Sequence, residues 1–163
     1  EDLPAKPWAT DGHKNKRPHN ITNSLYLTAE DLEDLNIERY KRYEQIQAEE
    51  QRAETLLVED AEIVLVAFGA TSRICRSAVR AARDEGIKAG LIRPITLWPF
   101  PDDAIKATIP TAKAYLSVEM SMGQMVDDVK LAIDCKVPVH FYGRTGGMVP
   151  TPAEVLEQIE ALL

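Results

Sequence analysis

The segment "AEIVLVAFGATSRICRSAVRAARDEG", Ala61–Gly86, decides the fold of this chain. Its first part is a nearly continuous apolar run that ends at Gly69, which is typical of a strand buried on both faces of a sheet. Its second part has apolar residues at helical spacing, and Thr71 or Ser72 is the predicted cap. Together the two parts predict a strand followed by a helix, which is the repeating unit of a parallel sheet.

Three further strand–helix pairs follow this segment. The strands are predicted in "IKAGLIRPI", "AKAYLSVEM" and "VPVHFYG", and the helices in "PDDAIKATIP", "SMGQMVDDVKLAIDC" and "TPAEVLEQIEALL". Ser121 with Gln124, and Thr151 with Glu154, have the spacing of capping boxes. Four strands that are each followed by a helix predict a three-layer α/β/α domain with a mostly parallel sheet, over residues 59–163.

The part of the chain before this domain differs in composition and in hydrophobic pattern. Residues 1–27 are polar, aperiodic and rich in proline, and we interpret them as a linker that follows another domain. Residues 28–58 contain no glycine or proline and are rich in helix formers, so they predict a charged helical arm lying along a neighbour.

Composition narrows the classes of protein. The 163 residues carry a net charge of −7, with a pI near 5.0, which argues against nucleic acid or an anionic membrane as a partner. No apolar run approaches the ~18 residues of a membrane span. The two cysteines, Cys75 and Cys135, are far apart and suit reduced thiols in a cytoplasmic protein.

The glycine-rich loop "YGRTGGMVP" is the best candidate for an anion site. Its predicted cofactor-binding residues are Arg144, Thr145, Gly146 and Gly147, because a glycine-rich turn before a helix exposes backbone N–H groups and arginine adds a fork of donors. The alternative is that the loop only turns a corner, since Thr151 can satisfy the first donors of that helix. The turn "FGATSR" lacks the glycine patterns of nucleotide-binding loops.

Three strand-end loops carry large apolar side chains with few charges: "RPITLWPFP", "VEMSMGQ" and the glycine-rich loop itself. They predict a subunit interface made of Trp98, Phe100, Met120, Met122 and Met148. The alternative for the two rings is that both cap the core instead of facing a partner.

Glu119 ends a predicted strand, where catalytic carboxylates often lie, but no second carboxylate or base accompanies it. A helix N-terminus just beyond would keep it ionised, which suits orientation more than proton transfer. We therefore assign no catalytic residue. Methionine is a poor ligand for hard metals and no cluster of histidine or cysteine accompanies it, so we expect no metal site.

Several segments resemble a known family. "VAFG", "GIKAGLIRPITLWPFP", "LSVEMSMGQMVDDV" and "VPVHFYGRTGGMVPTPAEVLEQI" resemble the C-terminal half of the alpha subunit of 2-oxoacid:ferredoxin oxidoreductases, and "RPHNITNSLYLTAEDLE" is most similar to the branched-chain, 2-oxoisovalerate members. The resemblance implies a fold like the C-terminal domain of transketolase, with a fifth strand at one edge of the sheet.

The resemblance also implies an activity. Such enzymes convert a 2-oxoacid and coenzyme A to an acyl-CoA and carbon dioxide, and they pass two electrons to ferredoxin. The whole complex uses thiamine diphosphate, magnesium and iron–sulfur clusters. In the family an N-terminal domain that covers the pyrimidine side of thiamine precedes the part matched here.

By the same resemblance, the chemistry belongs to other chains. The resemblance implies that the thiamine and magnesium motif lies in the beta subunit and that the cluster cysteines lie in another subunit. The two isolated cysteines of this chain cannot ligate a [4Fe–4S] cluster, which needs four thiolates. The chain is then inactive alone, has no cofactor of its own, and acts in assembly with the beta, gamma and ferredoxin-like delta subunits as an oligomer that serves ferredoxin indirectly. The alternative is a self-standing, flavodoxin-shaped module that binds an anion or coenzyme A.

Overall fold

The computed structural model describes residues 2–9, 12–21 and 23–163. The chain forms two compact units, Glu1–Lys41 and Arg42–Leu163. In chain order the elements are α1 Ala29–Glu49, β1 Ala53–Leu56, β2 Ile63–Val66, α2 Gly69–Asp84, β3 Ala89–Pro94, α3 Asp102–Lys106, β4 Ala114–Glu119, α4 Met125–Ala132, β5 Val139–Gly143 and α5 Pro152–Glu160. None of the helices in the described ranges is long and apolar enough to cross a bilayer.

The five strands form one sheet in the order β1-β3-β2-β4-β5. Strands β2 to β5 are parallel, and β1 pairs antiparallel with β3 at one edge. The central strand β2 is buried along its whole length, as its unbroken apolar sequence predicts. This arrangement confirms the predicted three-layer α/β/α fold with about five mostly parallel strands.

The helical arm predicted over residues 28–58 is too long. Helix α1 ends at Glu49, and residues 53–56 form β1 instead. The sequence "AETL" has ordinary helix propensity, but pairing with β3 at the sheet edge overrides that weak local preference. None of the residues of α1 is buried.

The core has one cluster on each face of the sheet. On one face α2 and α5 pack against the strands, and the buried residues there include Leu65, Cys75, Val79, Leu116 and Ile159. On the other face α3 and α4 cover the sheet, and Val66, Ile92, Ile105, Tyr115 and Val129 are buried. The helices on both faces follow from right-handed crossovers between parallel strands.

Thr71 and Ser72 do not cap α2, contrary to the sequence prediction. The N-cap residue is Phe68, three residues before Thr71, and it makes no side-chain cap. Both hydroxyls lie inside the first turn and donate to backbone carbonyls, that of Thr71 to Phe68 at 2.8 Å and that of Ser72 to Gly69 at 2.7 Å. Such hydroxyls can bond to the backbone in either position, so the sequence alone did not separate cap from first turn.

Candidate functional site

The candidate site lies at the carboxyl edge of the parallel strands, between the loops that follow β2 and β4. The chain leaves β2 for α2 on one face of the sheet and leaves β4 for α4 on the other face. Neighbouring strands whose connections diverge in this way leave a crevice between them. A cleft of about 340 Å³ occupies this position.

The cleft is apolar with an acidic side. Its lining includes Phe68, Thr71, Leu97, Glu119, Met120 and Asp128. Among the described residues that line it there is no lysine or arginine. A phosphate group would therefore meet two carboxylates and no cation, which disfavours a phosphate-bearing ligand at this point.

Glu119 is the centre of the loop after β4. It is 3% exposed, and its carboxylate accepts from the hydroxyls of Ser117 at 2.9 Å and Ser121 at 2.8 Å. Three backbone N–H groups at the start of α4 also donate to it, those of Gln124, Met125 and Val126, at 3.0, 3.2 and 2.9 Å. One side chain thus satisfies the first donors of the helix.

The hydrogen bonds around Glu119 decide its charge. Burial raises the pKa of this carboxyl, but the donors from Ser121, Gln124, Ser117 and Val126 outweigh burial and hold the pKa below its ordinary value. Glu119 is therefore ionised and fully engaged. These contacts confirm the expectation that the helix N-terminus holds Glu119 in its ionised form. A role in orientation rather than in proton transfer stays a prediction.

The capping box predicted from Ser121 and Gln124 is wrong. Gln124 is the residue before α4, and it makes no side-chain cap. The hydroxyl of Ser121 instead accepts from the N–H of Gly123 at 3.1 Å while it donates to Glu119. Gly123 has φ of +104°, so the turn folds back toward the strand end in a conformation that favours glycine.

Asp128 is the other carboxylate of the cleft. Its pKa is raised, first by burial and then by the nearby carboxylates of Asp127, Glu119 and Asp102. Asp127 pairs with Lys130 at 3.0 Å, and Asp102 with Lys106 at 3.7 Å. Burial and the neighbouring carboxylates thus both disfavour the charged form of Asp128 on this side of the cleft.

In the glycine-rich loop, Arg144 is already paired inside the chain. Its Nη1 lies 2.6 Å from Oε1 of Glu154, and the other oxygen of Glu154 accepts from the backbone N–H of Thr151 at 2.7 Å. The N–H of Glu154 donates to Thr151 Oγ1 at 3.2 Å, so the predicted capping box of α5 is confirmed. Backbone donation from Thr151 holds the pKa of Glu154 below its ordinary value.

The anion site predicted at Arg144, Thr145, Gly146 and Gly147 stays a prediction. Both glycines have positive φ, +65° and +88°, and open space where a side chain would lie. The cation and the first donors of the helix, however, are engaged by Glu154 and Thr151.

The residues predicted as an interface differ in exposure. Trp98 is 55% exposed and Met122 is 83% exposed, and Met120 and Met148 are exposed too. Phe100 is partly buried and packs against the core cluster beneath α3 and α4. The two rings therefore follow different alternatives. Phe100 packs on the core, whereas Trp98 lies at the surface, where its ring contacts that of Tyr43 edge-on with centres 5.5 Å apart.

Three apolar residues at this edge were missed by the sequence analysis. Phe68, Ile95 and Leu97 are also exposed large hydrophobics, and each lies in a loop that follows a parallel strand. Their positions in the same set of loops as Trp98 and Met120 could have identified them. We call the exposed set Phe68, Ile95, Leu97, Trp98, Met120 and Met122 the apolar rim.

The donors of this chain do not fit an iron–sulfur cluster. Such clusters need four thiolates, whereas Cys75 is buried and Cys135 is exposed elsewhere in the chain. In the ranges that the structure describes, no three side chains of histidine, cysteine, aspartate or glutamate are grouped to hold a metal ion.

The fold and its carboxyl-edge loops define an α/β domain of the transketolase C-terminal type. The model of the family described as pyruvate:ferredoxin oxidoreductase core domain II matches residues 61–155. The chain therefore belongs to this family.

Individual relatives agree with the family. A ketoisovalerate oxidoreductase subunit, VorB, from Methanothermobacter thermautotrophicus is 43% identical over 98% of this chain and 45% of its own length. A 2-oxoglutarate synthase subunit, KorA, from Methanothermobacter marburgensis is 37% identical over 62% of this chain and 27% of its own. The chain thus spans less than half the length of the curated relatives it matches.

Solved structures show the same fold. The 2-oxoglutarate:ferredoxin oxidoreductase from Magnetococcus marinus superposes with a TM-score of 0.70 at 20% identity, over 88% of this chain and 25% of that one. A split-gene transketolase superposes with a TM-score of 0.58 at 18% identity, over 69% of this chain and 41% of that one.

Proposed function

We propose that this chain is part of the alpha subunit of a 2-oxoacid:ferredoxin oxidoreductase that acts on 2-oxoisovalerate. The observation that carries the proposal is the 43% identity to a ketoisovalerate oxidoreductase subunit over 98% of the chain. The 2-oxoglutarate-type relative is less similar and matches less of the chain, which favours the branched-chain substrate.

In this proposal the complex oxidises the 2-oxoacid with coenzyme A and passes electrons to ferredoxin in the cytoplasm. Thiamine diphosphate supplies the carbanion chemistry when it is bound, and magnesium and iron–sulfur clusters belong to other subunits. In this proposal Glu119 does not act as a general base, because its carboxylate already accepts from five donors. The role of this chain is to assemble and orient the other subunits.

The apolar rim supports a role in assembly. Six large hydrophobic side chains from three neighbouring strand-end loops are exposed, and three of them, Phe68, Leu97 and Met120, line the cleft. Met148 is exposed in the fourth loop. Exposed apolar clusters of this kind mark protein contacts in soluble proteins. We propose the apolar rim as the contact for a partner subunit, with Trp98 as its anchor because large aromatic residues dominate interface energies.

The test is a pull-down of the tagged chain with the beta, gamma and ferredoxin-like delta subunits of a ketoisovalerate oxidoreductase. Trp98→Ala should weaken capture at least tenfold, about 1.4 kcal/mol. Leu131→Ala is the control, because Leu131 is an exposed apolar residue on α4, outside the strand-end loops.

Two outcomes would count against the proposal. Failure of the wild-type chain to capture any of these subunits would reject the assignment to this complex. Equal capture by Trp98→Ala and wild type, with both folded by circular dichroism, would reject the apolar rim as the contact.

A further inference from the structure

Strand β5 is an open edge of the sheet. It pairs with β4 on one side, and no strand of the described chain pairs with its other side. His140 and Phe141 are exposed, and the rest of the strand is half-buried. An open edge presents unpaired backbone donors and acceptors to any chain that can pair with them.

The register shows which backbone groups are open. In a parallel ladder alternate residues bond to the neighbouring strand. The N–H of Tyr115 donates to Pro138 and the N–H of Arg144 donates to Glu119, so the even-numbered residues of β5 face β4. The N–H and C=O groups of the odd-numbered residues, Val139, Phe141 and Gly143, therefore point away from the sheet.

The opposite edge of the sheet is protected, and β5 is not. Strand β1 has four residues, and its Glu54 carboxylate pairs with Arg93 at 2.9 Å and with Arg76 at 3.3 Å. Charged side chains on a short edge strand are a common device against edge pairing. The stretch "VPVHFYG", 137–143, has no lysine, arginine, aspartate or glutamate, and its one proline precedes the strand.

We propose that β5 pairs antiparallel with β5 of a second copy of this chain, about a two-fold axis at Phe141. This surface shares no residue with the apolar rim and does not depend on the proposed function. The pairing would join two five-stranded sheets into one continuous sheet.

The strand is self-complementary in this register. Phe141 faces its own counterpart, Val139 faces Gly143 of the second copy, and His140 faces Tyr142. Facing aromatic residues stabilise antiparallel pairs, and the large valine meets the residue without a side chain. The three outward-facing residues can exchange about six backbone hydrogen bonds with the second copy.

Charge does not oppose the pairing. The nearest cation at the end of the strand is Arg144, and it is neutralised by Glu154 of its own chain at 2.6 Å. At the other end, Lys136 is paired with Asp134 at 3.0 Å. No net like charges are brought face to face, so a second copy fits this edge.

Phe141 has a fixed position on this edge. Its ring lies over Gly143, where a side chain on that residue would collide with the ring and with the carbonyl of Ser121. The ring also lies within ordinary contact of the position that a side chain on Gly123 would take. Phe141 is nonetheless 38% exposed, and that remaining surface is what the second copy would cover.

The experiment uses the self-facing position. Sedimentation equilibrium of the chain should show a dimer, and both Phe141→Glu and Phe141→Lys should raise its dissociation constant at least tenfold because each places like charges at the axis. An equimolar mixture of the two variants should restore the dimer, since opposite charges then face each other. Thr55→Glu on β1 is the matched control and should leave the dimer unchanged.

A second variant covers a failure of the charged variants to fold. Phe141→Cys in a Cys135→Ser background should form an intermolecular disulfide readily, because opposed residues of a hydrogen-bonded antiparallel pair have Cα atoms about 5.5 Å apart, within disulfide range. Thr145→Cys in the same background should cross-link much more slowly, since residue 145 does not face itself.

Four results would overturn the proposal. The wild-type chain could stay monomeric at about 100 µM, well above the ordinary range of specific affinities, or the dimer could be insensitive to both Phe141 variants. The mixture of the two charged variants could stay monomeric, or cysteines at positions 141 and 145 could cross-link at equal rates. Capture of a different protein along β5, with no self-association, would also reject the second copy as the occupant.

Discussion

At the start of both α4 and α5, a glutamate carboxylate of this chain accepts hydrogen bonds from backbone N–H groups. The two glutamates differ in where they lie in the chain and in how deeply they are buried. Glu119 comes from the strand before α4, is buried, and accepts from three backbone N–H groups and two hydroxyls. Glu154 lies inside α5, is partly exposed, and shares the cap with Thr151 and Arg144.

Glu119 therefore links strand β4 to helix α4, whereas Glu154 only caps the start of helix α5. Loss of Glu119 leaves five donors without their acceptor, several of them buried, at the junction of β4 and α4. Loss of the α5 cap exposes donors that water can reach. Both arrangements also place a negative charge where an external anion would otherwise bind a helix N-terminus.

The largest effect is expected for Glu119→Ala. It should lower the free energy of unfolding by about 3 kcal/mol, because buried donors lose a charged acceptor. Thr151→Ala is the matched cap variant and should cost about 1 kcal/mol. Urea denaturation of both variants measures the two losses. Equal losses would mean that the buried cap and the exposed cap are equivalent.

A pH series sharpens the same comparison. The pKa of Glu119 in the folded chain lies below its ordinary value of 4.5, so its ionised form adds stability that is fully present above about pH 4.5 and is lost as pH falls through the folded pKa. The stability gap between wild type and Glu119→Gln should therefore be constant near pH 7 and narrow at lower pH. A gap that widens on acidification would contradict the assignment of an ionised Glu119.

The smallest effect is expected for Arg144→Ala. Its ion pair with Glu154 is partly exposed, and such pairs contribute little to stability. We expect a smaller loss than for Thr151→Ala and no binding of coenzyme A by either wild type or variant in a calorimetric titration. If wild type binds coenzyme A and Arg144→Ala does not, the glycine-rich loop holds an anion. Arg144 must then leave its ion pair with Glu154 when the anion binds.

Sequence reasoning found what depends on local spacing. The α5 cap was predictable because Thr151 and Glu154 are three residues apart, and the buried strand β2 was predictable from its unbroken apolar run. The position of Glu119 at the end of β4 also indicated an ionised, orienting role.

What the sequence did not reveal depends on contacts between distant residues. The strand β1 forms only because β3 offers an edge, and "AETL" alone has no strand signal. Ser121 was predicted as a cap because its spacing fits, but the buried carboxylate of Glu119 competes for the same N–H groups with a full charge. The pairing of Arg144 with Glu154 bridges ten residues and depends on how α5 returns to the strand end.

The charged edge at β1 limits how far an assembly of this chain can grow. If two copies join through β5, both β5 edges are paired, and the ends of the resulting ten-stranded sheet are the two β1 strands. Glu54 of each β1 is paired with Arg76 of α2 and Arg93 of β3. An isologous contact closes on itself, and these ends resist further strand addition. An assembly joined through β5 would therefore stop at two copies and would not polymerise into a fibre.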